Sequence, residues 1–115
     1  RPEVKAVNYP GLETSPDHAL AQAQFGGKFG GILTFTLQDR EECYKFSDSL
    51  ALIRRATNIN DNKTLILHPA STIFCEYGEE ERRALGVPAN MLRLTVGIED
   101  LDDIIDDLKK GFTAL

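Results

Sequence analysis

Between Asn90 and Leu108 the sequence reads NMLRLTVGIEDLDDIIDDL, and its apolar period changes partway along. Leu92, Leu94, Val96 and Ile98 alternate with Met91, Arg93, Thr95 and Gly97, the pattern of a strand with one aliphatic face. From Leu101 onward the apolar residues Leu101, Ile104, Ile105, Leu108 and Phe112 recur at helical intervals. A strand needing cover on one face, followed by a helix with a single apolar stripe, points to two packed layers. Arg93 lies mid-strand on the other face. Burying an unpaired guanidinium is costly, so that face meets either water or an anion. Asp100, with Asp103 three residues on, marks the start of the helix. Its acidic first half and the late Lys109 and Lys110 suit the helix dipole. DLDDIIDD lacks the loop and glycine of a calcium-binding hand, and reads as a solvated helix face.

The remainder alternates in the same way. Residues 3–8 form a weak strand, and Pro10-Gly11 marks a turn. Ser15 is expected to cap a helix with Pro16 at its first position, running through DHALAQAQ and stopping by Gly26-Gly27. Ile32–Leu37 is rich in strand formers. The glycines before it match no phosphate-loop spacing and lead into a strand, so they read as a tight turn. A long helix is expected from near Arg40 to near Ala56, with Asp39 and Glu42 at capping-box spacing and a stripe of Cys43, Phe46, Leu50 and Ile53. TNINDN is a polar loop, TLILH a strand and PASTIFCEY a further loop. GEEERRALG is a short helix with Gly86 at its C-terminal end and Pro88 beyond. Four strands and four helices in this order predict an α/β two-layer sandwich of the α+β type. Its small, mostly antiparallel, four-stranded sheet would be covered by helices on one face. The face carrying Arg93 would be left open, as suits a domain that docks on a partner.

A chain of 115 residues suits one domain, residues 1–115. A net charge of −5 and the lack of a Lys/Arg cluster argue against nucleic acid as a partner. No apolar run is long enough to span a bilayer, and no signal peptide is visible. Cys43 and Cys75 form no CxxC pair and read as free thiols of a reducing cytosol, with a single disulfide the poorer alternative, so a cytoplasmic location is expected. His18 and His68 lack a ligand-like spacing, and no metal site is assigned. The chain opens with Arg1 directly into strand-like sequence, consistent with a piece of a longer protein.

Four phrases in series carry a resemblance: VNYPGLETSPDHALAQAQF, GGILTF, TLILHPAST and RLTVGIEDLDDIIDDL. From Val7 to Leu108 they resemble the Cys/Met-metabolism group of pyridoxal-phosphate enzymes, in particular its C-terminal domain. That group comprises cystathionine synthases and lyases, methionine γ-lyase and O-acetylhomoserine sulfhydrylase. The resemblance implies the small C-terminal domain of the fold-type I transferase architecture. The large N-terminal cofactor domain, and with it the Schiff-base lysine, would lie outside the chain. It implies that Arg93, in RLTVGIE, binds the α-carboxylate of an amino-acid substrate, with Asn58 close to that carboxylate or to the cofactor lysine. A guanidinium suits this task because its planar fork meets a carboxylate bidentately. The phrase NINDNKTL is most similar to the O-acetylhomoserine sulfhydrylase branch. Asn58 and Lys63 stand where lyases and γ-synthases carry serine and glutamate, and a lysine would repel a distal ammonium but not an acetyl ester. Asn60 replaces a family glycine, and Ile73-Phe74 replace a polar pair.

The implied activity is γ-replacement of acetate by sulfide or a thiol, giving homocysteine or methionine, in a homo-oligomer, expected to be a tetramer. Pyridoxal phosphate would serve the intact enzyme. This chain alone would contain no catalytic residue, bind no cofactor and be inactive. The alternatives are the same domain of a methionine γ-lyase or a cystathionine γ-synthase or lyase, and a free-standing α/β binding module without chemistry.

Overall fold

A computed structural model describes all of residues 1–115. In chain order the elements are β1 (Ala6–Asn8), α1 (His18–Phe25), β2 (Ile32–Thr36), α2 (Arg40–Ser49), β3 (Arg54–Arg55) and β4 (Leu65–Leu67). A 3₁₀ turn (Pro69–Ser71), α3 (Glu79–Ala84), β5 (Met91–Thr95) and α4 (Leu101–Thr113) follow. The strands form one sheet in the order β1-β2-β5-β4-β3. All neighbours are antiparallel except β3, which runs parallel to β4. The two-layer α/β character is as expected, but the sheet has five strands and is mixed, where four mostly antiparallel strands are predicted.

The extra strand arises where a helix was expected to continue. Asp39 caps α2 as predicted, accepting a hydrogen bond from Glu42 N at 2.9 Å, while Glu42 Oε2 accepts from Gln38 N at 3.0 Å. The helix then ends at Ser49, not near Ala56. Helical spacing persists through Leu50 and Ile53, yet the N–H groups of Ala51, Leu52 and Ile53 turn to one carboxylate, Asp107 of α4. A long-range acceptor thus replaces the carbonyls that would have continued the helix. Ile53 still reaches the core, from extended chain.

That core lies between the sheet and the α2–α4 pair. It contains Phe35, Leu37, Cys43, Phe46, Ile53, Ile66, Leu92, Leu94 and Ile104. Both cysteines are free. Burial, and then the carboxylates of Asp39 and Glu42, push the Cys43 thiol up to about 12. In α4 the buried face is rotated from the predicted stripe. Ile104 is buried, but Leu101 is 65% exposed, and Asp107 and Gly111 turn inward. Asp102, Asp103 and Asp106 do form the solvated face expected of the acidic run.

The opposite face of the sheet is less open than predicted. Met91 packs there with Ala70, Val87 and Phe74 from the segment between β4 and β5. β5 is consequently buried along both faces, apart from Arg93. The strand ends at Thr95, which leaves Ile98 in solvent. The first helix begins at His18 rather than after Ser15, which instead joins a turn through its carbonyl to His18 N. Gly26, at φ 58°, closes that helix where a stop was expected.

Candidate anion site at Arg93

Arg93 is the middle residue of the central strand, flanked by Thr34 on β2 and Leu67 on β4. Alternation places it on the face away from α2 and α4, because its neighbours Leu92 and Leu94 belong to the helix-side core. Its side chain reaches the loop after β3. There Nη2 donates to the carbonyls of Thr57 at 3.1 Å and Asn58 at 3.3 Å. Nε is shielded from solvent without a partner, whereas Nη1 is neither shielded nor hydrogen-bonded. The four ion pairs of the chain all involve other residues, so no carboxylate lies within 4.0 Å of this guanidinium. The result is a half-buried, un-neutralised cation on a rigid strand, oriented through one nitrogen with a second available. A carboxylate or another planar anion suits it electrostatically.

The loop that holds Arg93 is braced from within. Asn58 Nδ2 donates to Asp61 Oδ2 at 3.1 Å, and Lys63 N donates to Asp61 Oδ1 at 3.0 Å. These bonds, the one from Lys63 N foremost, hold the Asp61 carboxyl below the usual carboxylate range. Asn60 adopts φ 56°, a left-handed conformation that asparagine tolerates better than most residues. Arg93 and Asn58 are therefore neighbours, but the contact is the Asn58 main-chain carbonyl, and its side chain serves the turn.

A second set of bonds ties the end of this loop to the segment just after β5. Glu99 Oε1 accepts from Thr64 N, and Glu99 Oε2 accepts from Thr64 Oγ1, each at 2.7 Å. Thr64 Oγ1 in turn accepts from Gly97 N at 2.9 Å, and Ile98 N donates to Asn62 O at 3.0 Å. Gly97 permits this approach, since a Cβ there would stand 2.5 Å from the Lys63 carbonyl carbon. Thr57, Asp61, Thr64 and Glu99 were not singled out from the sequence. The glycine and glutamate of VGIE were the available signal.

A cleft of about 290 Å³ opens between α2 and β4, lined by Tyr44, Ser47, Arg55, Thr57, His68 and Ser71 among others. His68 is fully engaged, with Nδ1 bonded to Ser71 Oγ and Nε2 to the Ala89 carbonyl, both at 2.7 Å. Burial, the largest influence, pushes its pKa down. No group of three or more His, Cys, Asp or Glu side chains is placed to hold a metal ion. All six lysines are exposed and none lines this cleft. The chain's own side chains thus provide no sequestered amine to bind a carbonyl cofactor covalently.

A family model described as Cys/Met metabolism PLP-dependent enzyme matches residues 1–113. The chain is 43% identical over 112 residues to O-acetyl-L-homoserine sulfhydrylase 1 of Thermus thermophilus, covering 96% of this chain and 27% of that protein. It is 41% identical over 115 residues to an L-methionine gamma-lyase of Fusobacterium nucleatum subsp. polymorphum, covering 99% and 29%. Its backbone is similar, with a TM-score of 0.92 and 36% identity, to a crystal structure of cystathionine gamma synthase from Xanthomonas oryzae pv. oryzae in complex with aminoacrylate and cysteine. That match covers 99% of this chain and 30% of the synthase. The chain spans less than a third of the length of each of these proteins.

Proposed function

Because the chain belongs to the Cys/Met-metabolism PLP-dependent enzymes, we propose that it is the part of such an enzyme that docks the α-carboxylate of an amino-acid substrate on Arg93. One observation carries this reading: a strand-borne guanidinium held by two main-chain carbonyls and matched by no carboxylate of its own chain. A cation kept half-buried and unpaired is costly, and an incoming carboxylate relieves that cost. With the carboxylate fixed, rotation of the substrate is restricted, and its reacting carbons are presented in one orientation. Asn58 contributes its carbonyl to the aim of the fork. With all six lysines exposed, we assign the cofactor and its Schiff-base lysine to a separate, larger domain, to which this one would be the C-terminal companion.

Within the family we favour γ-replacement on O-acetylhomoserine by sulfide or a thiol. Lys63 lies on the loop that holds Arg93, and its charge disfavours substrates with a distal ammonium while tolerating a neutral ester. Methionine γ-lyase activity is the competing reading, favoured by the 41% identity to such an enzyme. Steady-state assays of the full-length enzyme separate them. Higher kcat/KM with O-acetylhomoserine plus sulfide than with methionine or cystathionine alone supports the sulfhydrylase. The reverse order assigns the chain to a lyase, and a preference for cysteine over sulfide as the co-substrate of O-acetylhomoserine assigns it to a γ-synthase.

A further inference from the structure

Arg93 is aimed by a loop, and that loop is itself gripped by a carboxylate with no other employment. Glu99 has no cationic partner within 4.0 Å. Both of its oxygens are spent on Thr64, one on the main-chain N–H and one on the hydroxyl. Thr64 is fully buried, and its hydroxyl is oriented from both sides, donating to Glu99 and accepting from Gly97 N. Burial pushes the Glu99 carboxyl up, but the two Thr64 donors outweigh it and hold the group below its ordinary range, so it is ionised at neutral pH.

We propose that Glu99 is a positioning residue for substrate binding: by gripping Thr64 it fixes the residue 57–63 loop, whose carbonyls aim the Arg93 fork at the substrate carboxylate. The inference rests on the reading of Arg93 given above. The chain of contacts closes on itself. Arg93 lies on β5, and four to six residues later the same stretch supplies Gly97, Ile98 and Glu99, all of which bind the end of the loop. The start of the loop is tied to β4 by Ala56 N donating to the Ile66 carbonyl. Between these anchors the loop has no ladder partner, only the internal Asp61 brace. The arginine side chain is long and has many rotamers, so its direction depends on what holds it. Its recorded hydrogen bonds are the two carbonyl contacts, both to Nη2. A loop released at Thr64 carries the Thr57 and Asn58 carbonyls with it, and the fork loses its direction while keeping its charge.

The test is a binding ratio measured on the full-length enzyme. Its probes are L-norleucine and L-norleucinamide, which carry no leaving group on Cγ and differ only at the carboxyl. The parent enzyme is expected to prefer the carboxylate, and Arg93→Ala to abolish that preference. Glu99→Ala and Thr64→Val are each expected to lower the ratio by about tenfold or more. Glu99→Gln, which keeps one acceptor oxygen, should fall between Glu99→Ala and the parent. General damage to folding lowers the amount of competent protein but leaves this ratio unchanged. Should Glu99→Ala fail to fold, the near-isosteric Thr64→Val decides alone. If the ratio stays within about twofold of the parent in the Glu99 and Thr64 variants, while Arg93→Ala loses it, the positioning role is overturned and the Arg93 site stands. If Arg93→Ala keeps the preference, the site itself is misassigned and the inference falls with it.

Discussion

Arg93 illustrates how one side chain can be legible in type and illegible in setting. Strand alternation alone puts it on the face opposite Leu92 and Leu94, and the cost of burying charge demands an anion or water. What orients it could not be read. Its Nη2 partners are main-chain carbonyls more than thirty residues upstream, and carbonyls leave no mark in a sequence. Asn58, expected near the substrate carboxylate or the cofactor lysine, shows what residue type leaves out: its side chain pairs with Asp61, while its main-chain carbonyl meets Arg93. Arg93→Lys in the full-length enzyme should weaken amino-acid binding by about 1.4–2.7 kcal/mol, roughly a ten- to hundredfold rise in KM. A lysine keeps the charge but cannot hold two carbonyls and a carboxylate in one plane. An unchanged KM in that variant would remove Arg93 from the site.

At the scale of elements, α4 decides where α2 stops. Asp107 lies in a run of six acidic residues between Glu99 and Asp107 and reads as one more solvated charge. In the fold it is fully buried and accepts from three successive N–H groups, Ala51 to Ile53, at 2.9–3.2 Å. Burial pushes its carboxyl up. The three N–H groups, Ile53 foremost, and then Lys110 outweigh that and keep it below the ordinary range. A depressed folded pKa gives stability that is complete above the unfolded value of about 3.9 and lost as pH falls through the lower folded value. Urea unfolding of the chain should therefore show Asp107→Ala destabilised by about 2–3 kcal/mol at pH 7. The gap to the parent should narrow below about pH 4, and a constant gap across that range would refute the role. The same contact explains the fifth strand: once residues 51–53 leave the helix, Arg54 and Arg55 lie extended beside β4.

For the molecule as a whole, the order of the four helices and of every strand but β3, and the α/β class, were available from apolar period together with capping and turn residues, since these are local properties of the chain. Family membership was available from four phrases read in series. All six lysines are exposed, and on that ground mixing the chain with pyridoxal phosphate is expected to produce no saturable visible absorbance band tied to a single lysine. A stoichiometric band abolished by one lysine substitution would contradict this. The fold-scale misses share one cause. The length of α2, the inward turn of Asp107 and the roof of Ala70, Val87 and Phe74 over Met91 each depend on residues distant in sequence. So does the grip of Glu99 on Thr64, across 35 positions. By itself the sequence determined which segments are amphipathic, which family they belong to and that a guanidinium stands mid-strand on the face away from the aliphatic core. Only the tertiary structure decided which carbonyls and carboxylates meet that charge and its supports, because hydrogen-bond partners are chosen by proximity in space, and local pattern carries no record of it.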